Sequence, residues 1–238
     1  MARKSARSGG RREKSVRVKT ARGRRPSSTR WLDRQLNDPY VAEARRLGFR
    51  SRAAFKLIEI DDRLRLLRPG QTIVDLGAAP GGWTQVALDR TKAAESGARV
   101  IALDRLEIEP IPGAELLVGD FLETDTVERL EQLLAGVPVD IVLSDLSPST
   151  TGHKATDHLR IVALVEDALA FAMQVLKPGG TFIAKVFQGG ADADMLKRVR
   201  AAFETVRHIK PAASRNDSAE TYLVAQGFKT KADKPADT

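Results

Sequence analysis

The chain of 238 residues contains no cysteine. Neither a disulfide framework nor a thiolate metal site is open to it, and the composition fits a reducing, cytoplasmic compartment. Histidine is scarce too: His153, His158 and His208 fall in no metal-ligand spacing, so no metal is expected. No apolar stretch approaches the roughly 18 residues of a membrane span. None opens the chain as a secretory signal would, so no membrane partner is expected. The first 30 residues are nearly without acid. They hold 12 Lys/Arg against Glu13 alone, a charge of +11, whereas the other residues, with 27 basic and 30 acidic, carry −3. The +8 of the whole chain therefore resides in one tail. Such a tail neutralises phosphates without reading sequence. Val16 and Val18 are nearly its only bulky apolar residues, which makes a poor amphipathic helix, and RNA contact is the expected role.

Beyond the tail, 42% hydrophobic residues suit a globular core. Residues 1–28 are a low-complexity Arg/Ser/Gly stretch expected to be disordered alone. Residues 29–229 form one domain, expected as a monomer, and 230–238 are a polar tail. The domain opens with a helical segment. Leu57, Ile58, Ile60, Leu64 and Leu67 fall near helical spacing, and Pro69-Gly70 ends it. Strands are then predicted at Thr72 to Leu76, Arg99 to Leu103, Glu115 to Val118, Val139 to Leu143 and Thr181 to Phe187. Helices are predicted from about Gly82, over 125–135, from Thr156 to Leu176 and from Asp192 to Phe203. Lys177 to Gly180 reads as a sharp turn, and Val206 to Ile209 and Thr221 to Ala225 as closing edge strands. This alternation predicts an α/β fold, a doubly wound, mostly parallel seven-stranded sheet with helices on both faces. Ligands of such sheets sit beyond the carboxyl ends of the strands.

The run Asp75-Leu76-Gly77-Ala78-Ala79-Pro80-Gly81-Gly82-Trp83 joins the first strand to the first helix after it. Glycines there admit a ligand close to the backbone. The spacing is not the dinucleotide fingerprint, and no Lys-Ser/Thr follows to make a phosphate-cradling loop. The acids after successive strands (Asp75, Asp104, Asp120 and Asp145) decide the ligand type. So many carboxylates would repel a pyrophosphate, but they suit S-adenosylmethionine, which has no phosphate and carries a sulfonium and an ammonium. Asp104, about 20 residues past the loop, is placed for ribose hydroxyls, and Asp120 for the adenine amino group. Gly77, Pro80, Gly81, Trp83, Asp104, Asp120 and Asp145 are the expected cofactor-binding residues, although each acid alone reads equally as a turn or cap residue and Trp83 as core.

From Ser28 to Lys229 the sequence resembles the FtsJ-like RNA 2′-O-ribose methyltransferases, above all their bacterial members that act on large-subunit ribosomal RNA. The runs that carry the resemblance are Arg30-Trp31-Leu32, Arg50 to Leu57, Ile73 to Trp83, Leu143-Ser144-Asp145, Lys185 to Gly189 and Glu220-Thr221-Tyr222. By these runs the family's Lys-Asp-Lys-Glu tetrad maps to Lys56, Asp145, Lys185 and Glu220. Two departures stand out. Ser147-Pro148-Ser149 replaces the usual Ala-Pro-Asn, and Ala54 replaces the usual aromatic residue. Both touch the substrate side and leave the tetrad intact. The resemblance implies methyl transfer from S-adenosylmethionine to a ribose 2′-hydroxyl, that of a uridine in the A-loop of large-subunit 23S rRNA, late in ribosome assembly. Transfer RNA as substrate, or a non-catalytic RNA-binding assembly factor, are the alternatives.

A ribose hydroxyl is a weak acid and needs a base and in-line alignment with the methyl carbon. The resemblance implies Lys185 as that base. A lysine working as a base near neutrality must first lose its proton, and against an ordinary pKa near 10.4 that costs about 4 kcal/mol. Burial and the second cation, Lys56, push that way, while Asp145 and Glu220 oppose. The competing role keeps Lys185 charged, steadying the developing alkoxide. Arg50, Arg52 and the tail are expected to form the RNA-facing surface, with His153 a lesser candidate beside the substrate.

Overall fold

The computed structural model describes residues 32–33, 35–148, 154–187, 193–215 and 218–229. The basic tail, the polar tail, Trp31, His153 and the Gln188-Gly189 pair lie outside them. Ahead of the sheet the described residues include the helices α1 (Pro39–Leu47) and α2 (Ala54–Leu64). Asp38 starts α1 by accepting a hydrogen bond from Tyr40 N at 3.0 Å, and Pro39 fills the first turn, where its missing N–H costs nothing. Gly48, at φ 78°, ends the helix in the left-handed region. Then follow β1 (Thr72–Leu76), α3 (Gly82–Thr91), the short α4 (Ala93–Ser96), β2 (Arg99–Asp104), β3 (Ala114–Val118), α5 (Thr124–Leu134), β4 (Val139–Ser144), α6 (Lys154–Val175), β5 (Leu176–Phe187), α7 (Ala193–Ala202), β6 (Phe203–Ile209) and β7 (Glu220–Phe228).

The seven strands form one sheet in the order β3-β2-β1-β4-β5-β7-β6. The first five are parallel, and β7 runs antiparallel to both its neighbours. Because side chains alternate across a strand, each strand feeds two cores. Val74, Leu76, Val142, Phe182 and Ala184 meet Leu130 of α5, Leu169 and Phe171 of α6 and Val199 of α7 on one face. Ile73, Ile141, Leu143, Ile183 and Val224 meet Leu57 and Ile60 of α2 and Trp83 and Val86 of α3 on the other. All five β1 residues are buried, as a parallel strand covered on both faces requires.

Two sequence expectations change. Strand β7 is not an edge, since it lies between β5 and β6 with Tyr222 to Ala225 fully buried. The unbroken apolar run Tyr222-Leu223-Val224-Ala225 is the mark of a strand covered on both faces. Lys177 to Gly180, expected as a sharp turn, is instead a bulge within β5. Leu176 pairs with Val139 and Thr181 with Ile141, so four residues stand against Asp140 alone, and Lys177 Nζ pairs with Asp140 at 2.5 Å.

Candidate active site

Strand register brings the four tetrad residues together. In the β5–β7 ladder Lys185 stands directly opposite Tyr222, and Phe187 opposite Glu220. Lys185 and Tyr222 thus point to one face, and Glu220, two residues earlier, to the same face. In the β4–β5 ladder Ser144 is level with Ala184, so Asp145 leaves the end of β4 beside Lys185. Lys56 descends from α2, whose buried residues Leu57 and Ile60 dock the helix on this face.

Lys185 and Tyr222 are buried and Lys56, Asp145 and Glu220 half-buried, and the cluster is internally connected. Lys185 Nζ donates to the Asp145 carbonyl oxygen at 2.8 Å and lies 3.3 Å from its Oδ1. Lys56 Nζ pairs with Glu220 Oε1 at 2.6 Å. The Tyr222 hydroxyl joins the two pairs, 2.9 Å from Asp145 Oδ1 and 3.2 Å from Glu220 Oε1. Ser214 Oγ donates to Glu220 Oε1 at 3.1 Å. Burial pushes the Glu220 carboxyl up, but the Lys56 charge and hydrogen bond, with Lys185 and Ser214, outweigh it and hold it below its ordinary value. Burial, reinforced by the Asp145 and Glu220 charges, drives the Tyr222 phenol well above its ordinary range, so it serves as a neutral hydroxyl. Sequence reasoning missed Tyr222 and Ser214 as members of the site. Their only signals were a tyrosine two residues past Glu220, hence on its face, and a serine in the preceding loop.

Beside this cluster, at the carboxyl ends of β1, β2 and β4, lies a cavity of about 480 Å³, within the range of small-ligand sites. Gly77, Asp104, Asp120 and Asp145 line it, with apolar walls from Phe121, Leu146 and Pro148. Leu106 and Leu122, 60% and 59% exposed, stand at the same cavity without protein cover. Asp104 holds the Gly-rich loop by accepting from Ala79 N at 2.9 Å and caps its own turn through Leu106 N. Asp120 does the latter through Leu122 N. The turn reading and the ligand reading of these acids are therefore compatible, since each carboxylate keeps further acceptor capacity. With Asp167 the cavity has four carboxylates against two guanidiniums, Arg105 and Arg160, a net negative lining that disfavours a pyrophosphate and fits a cationic nucleoside without phosphate, as S-adenosylmethionine is.

Pro80, Gly81 and Trp83 are not among the residues lining this cavity. Trp83 is 2% exposed, packs on the Tyr222 ring at 5.4 Å between centroids, and donates Nε1–H to the Ala53 carbonyl. Its large apolar area is buried between α2 and the sheet, so its place is the core rather than the cofactor cavity. The glycines also answer to protein neighbours. A Cβ on Gly81, at φ 110°, would meet Ile111 Cδ1 at 2.5 Å, and one on Gly82 would meet Ser51 Oγ at 2.4 Å. At Gly77 (φ 77°) the obstacle is the Leu146 backbone at 2.9 Å. Asp75 lies in the core, with Oδ2 accepting from Thr84 Oγ1 at 2.7 Å and Oδ1 buried without a partner. Burial, assisted by the Asp145 and Asp104 charges, pushes its carboxyl up to about 7 against the Thr84 hydrogen bond.

Both arginines expected at the RNA face are engaged within the protein. Arg50 donates to the carbonyls of Glu109 at 2.6 Å, Pro110 at 2.8 Å and Pro80 at 3.3 Å, bracing the loops behind the cavity. Arg52 pairs with Asp38, donates to the Ala213 carbonyl and stacks over Tyr40 at 5.5 Å. It fastens the start of α1 to the loop that delivers Ser214. A guanidinium that replaces its hydration with carbonyls and a carboxylate has few donors left for phosphate.

The sequence profile of the FtsJ-like methyltransferase family matches residues 49–228. The chain is 59% identical over 223 residues to the ribosomal RNA large subunit methyltransferase E of Paramagnetospirillum magneticum, covering 93% of this chain and 91% of that one. It is 57% identical over 236 residues to the protein of the same name from Parvibaculum lavamentivorans, covering 96% and 92%. Among solved structures, a ribosomal RNA methyltransferase, putative, of Plasmodium falciparum aligns with a TM-score of 0.68 at 33% identity, over 76% of this chain and 98% of that one. The profile takes in α2, the cavity and all four tetrad residues, and the chain belongs to the FtsJ-like methyltransferase family, as a methyltransferase whose methyl donor is S-adenosylmethionine.

Proposed function

We propose that this protein methylates a ribose 2′-hydroxyl of large-subunit ribosomal RNA, a uridine in the A-loop of 23S rRNA, late in ribosome assembly in the cytoplasm. The observation that carries the reading is the position of Lys185, a buried amine held by Asp145, the residue that also lines the cavity. The names of the bacterial relatives given above, ribosomal RNA large subunit methyltransferases, support the same substrate.

In this reading Asp104 and Asp120 would hold the nucleoside of the donor, with Gly77 and Asp145 lining the same cavity. The donor supplies a sulfonium methyl group; a carbon–oxygen bond forms to the ribose as the carbon–sulfur bond breaks, leaving a neutral thioether. Lys185 takes up the hydroxyl proton at Nζ. Asp145 aims that amine by two contacts from one residue. RNA that covers the site excludes water from this amine, the condition under which Nζ accepts the proton. The Lys56–Glu220 pair, tied to Asp145 through Tyr222, fixes the second wall and cancels its own charge. The domain of residues 29–229 performs the chemistry as a monomer, and the basic tail of residues 1–28 adds sequence-independent contact with RNA phosphates.

The test is methyl transfer from labelled S-adenosylmethionine to large ribosomal subunits lacking the modification, with free ribosomal RNA and transfer RNA as competitors. Label at a 2′-oxygen of subunit RNA, abolished in Lys185→Ala, is the expected result. Label on transfer RNA alone overturns the substrate. No label on any RNA, despite donor binding, leaves a non-catalytic assembly factor.

A further inference from the structure

The opposite end of the sheet carries a second concavity, of about 740 Å³, where β1, β4, β5 and β6 begin and β7 ends. Arg65, Arg68, Lys177 and Arg207 line it, with Asp140 and Glu204 as its acids. Asp140 is occupied: it pairs with Lys177 and accepts from Thr72 N at 2.9 Å. Arg65, Arg68 and Arg207 are exposed, and among the described residues no carboxylate pairs with any of the three. Three uncompensated guanidiniums around one groove stand out in a body that is otherwise net acidic, since residues beyond the tail carry −3. Other surface arginines are paired, as Arg46 with Glu43, Arg99 with Glu115 and Arg198 with Glu166, and those without a carboxylate partner among the described residues, such as Arg45, Arg63 and Arg200, do not converge on a common concavity with a second free guanidinium. Glu204 is the single acid left, so the groove has a local excess of positive charge.

We propose that this groove is a second RNA-binding surface, which takes a phosphodiester backbone segment of the same large RNA whose ribose is methylated at the other end. The inference rests on the RNA-methyltransferase reading and adds a contact that reading does not need. Guanidinium forks match phosphate oxygens in pairs. Several of them set around a concave wall, with room for more than one phosphate, suit a backbone better than a lone anion. Thr181 lines the groove and Lys185 lies four residues further along β5 in the catalytic cluster, about 13 Å away at 3.3 Å per residue. The two openings face opposite ends of the sheet. A short single strand would not fill both; a folded RNA particle, with backbone on several sides of the enzyme, would. Contacts of this kind add affinity without reading bases.

The experiment uses the full chain and two triple variants of equal charge change. One is Arg65→Gln/Arg68→Gln/Arg207→Gln in the groove. The other is Arg46→Gln/Arg129→Gln/Arg198→Gln, which removes paired surface cations that line neither site. Binding to unmodified large subunits is measured against potassium chloride concentration, with kcat and KM for methyl transfer alongside. The groove variant is expected to weaken binding and raise KM by tenfold or more, with kcat and the thermal midpoint unchanged. Its salt dependence should be shallower by about 2 in log–log slope, at roughly 0.7–0.9 for each phosphate no longer neutralised. The control should match the wild type. Unchanged affinity and slope in the groove variant overturn the proposal, as does equal weakening of the control, which would reduce the effect to net charge. Tight binding of inorganic tripolyphosphate by the wild type, with subunit binding indifferent to the groove variant, would assign the site to small polyphosphates instead and also overturn it. Absence of methyl transfer to any RNA by the wild type is a separate result that removes the underlying reading.

Discussion

Replacing Asp75 by Asn should flatten the pH dependence of stability, and the magnitude follows from the burial of this carboxyl. Asp75 is fully buried under the Gly-rich loop, with one oxygen bonded to Thr84 and the other without a partner. Its carboxyl is pushed from an ordinary 3.8 up to about 7. Between those two values the folded protein holds a proton that the unfolded chain has released. The contribution of this group is therefore fully present below about pH 4 and is lost as pH rises through about 7. At 1.36 kcal/mol per pH unit the loss totals about 4 kcal/mol. An asparagine of the same shape has no charge to bury, though its unpartnered amide costs about 1–3 kcal/mol at every pH. The assay is urea unfolding of wild type and Asp75→Asn from pH 5 to 8.5 at constant ionic strength, where other titrations largely cancel in the difference. The variant should gain on the wild type by several kcal/mol from the acid to the alkaline end and be the more stable protein above pH 7.5. A difference that stays constant with pH would refute the reasoning.

Three further outcomes are expected. Gly77→Ala places a Cβ 2.9 Å from the Leu146 backbone at a φ of 77°, so it should weaken S-adenosylmethionine binding by tenfold or more in calorimetric titration. Tyr222→Phe keeps the ring against Trp83 but removes the hydroxyl between Asp145 and Glu220; kcat should fall about tenfold, the worth of one hydrogen bond at about 1.4 kcal/mol, with KM for the donor little changed. Lys56→Met leaves the half-buried Glu220 without its cation, and breaking such a pair costs up to about 3 kcal/mol. Because Glu220 is held below its ordinary value, the stability it contributes is present above about pH 4.5 and lost in more acid solution. The deficit of Lys56→Met in urea unfolding should therefore shrink as pH falls below that value.

The element order was legible because local pattern fixes it. Apolar runs such as Thr72 to Leu76 and Val139 to Leu143, separated by helical periods, leave few alternatives to a doubly wound sheet. The acids after the strands were legible for the same reason, since strand ends of a parallel sheet share one side, and Asp104, Asp120 and Asp145 do line one cavity. The tetrad was named through resemblance, because Lys56, Asp145, Lys185 and Glu220 are scattered over the chain and no local rule connects them. What only the tertiary structure decided was pairing across the sheet. Inserting β7 between β5 and β6 set Tyr222 opposite Lys185 and made that hydroxyl the link between two carboxylates. Docking α2 on the sheet supplied Lys56, buried Trp83 and required Gly82 to stay bare against Ser51. Arg50 and Arg52 read as surface cations in sequence; the carbonyls and carboxylate that engage them come from residues distant along the chain. Local pattern fixes which residues a segment buries, whereas the partner of a charge depends on which distant segments share its register.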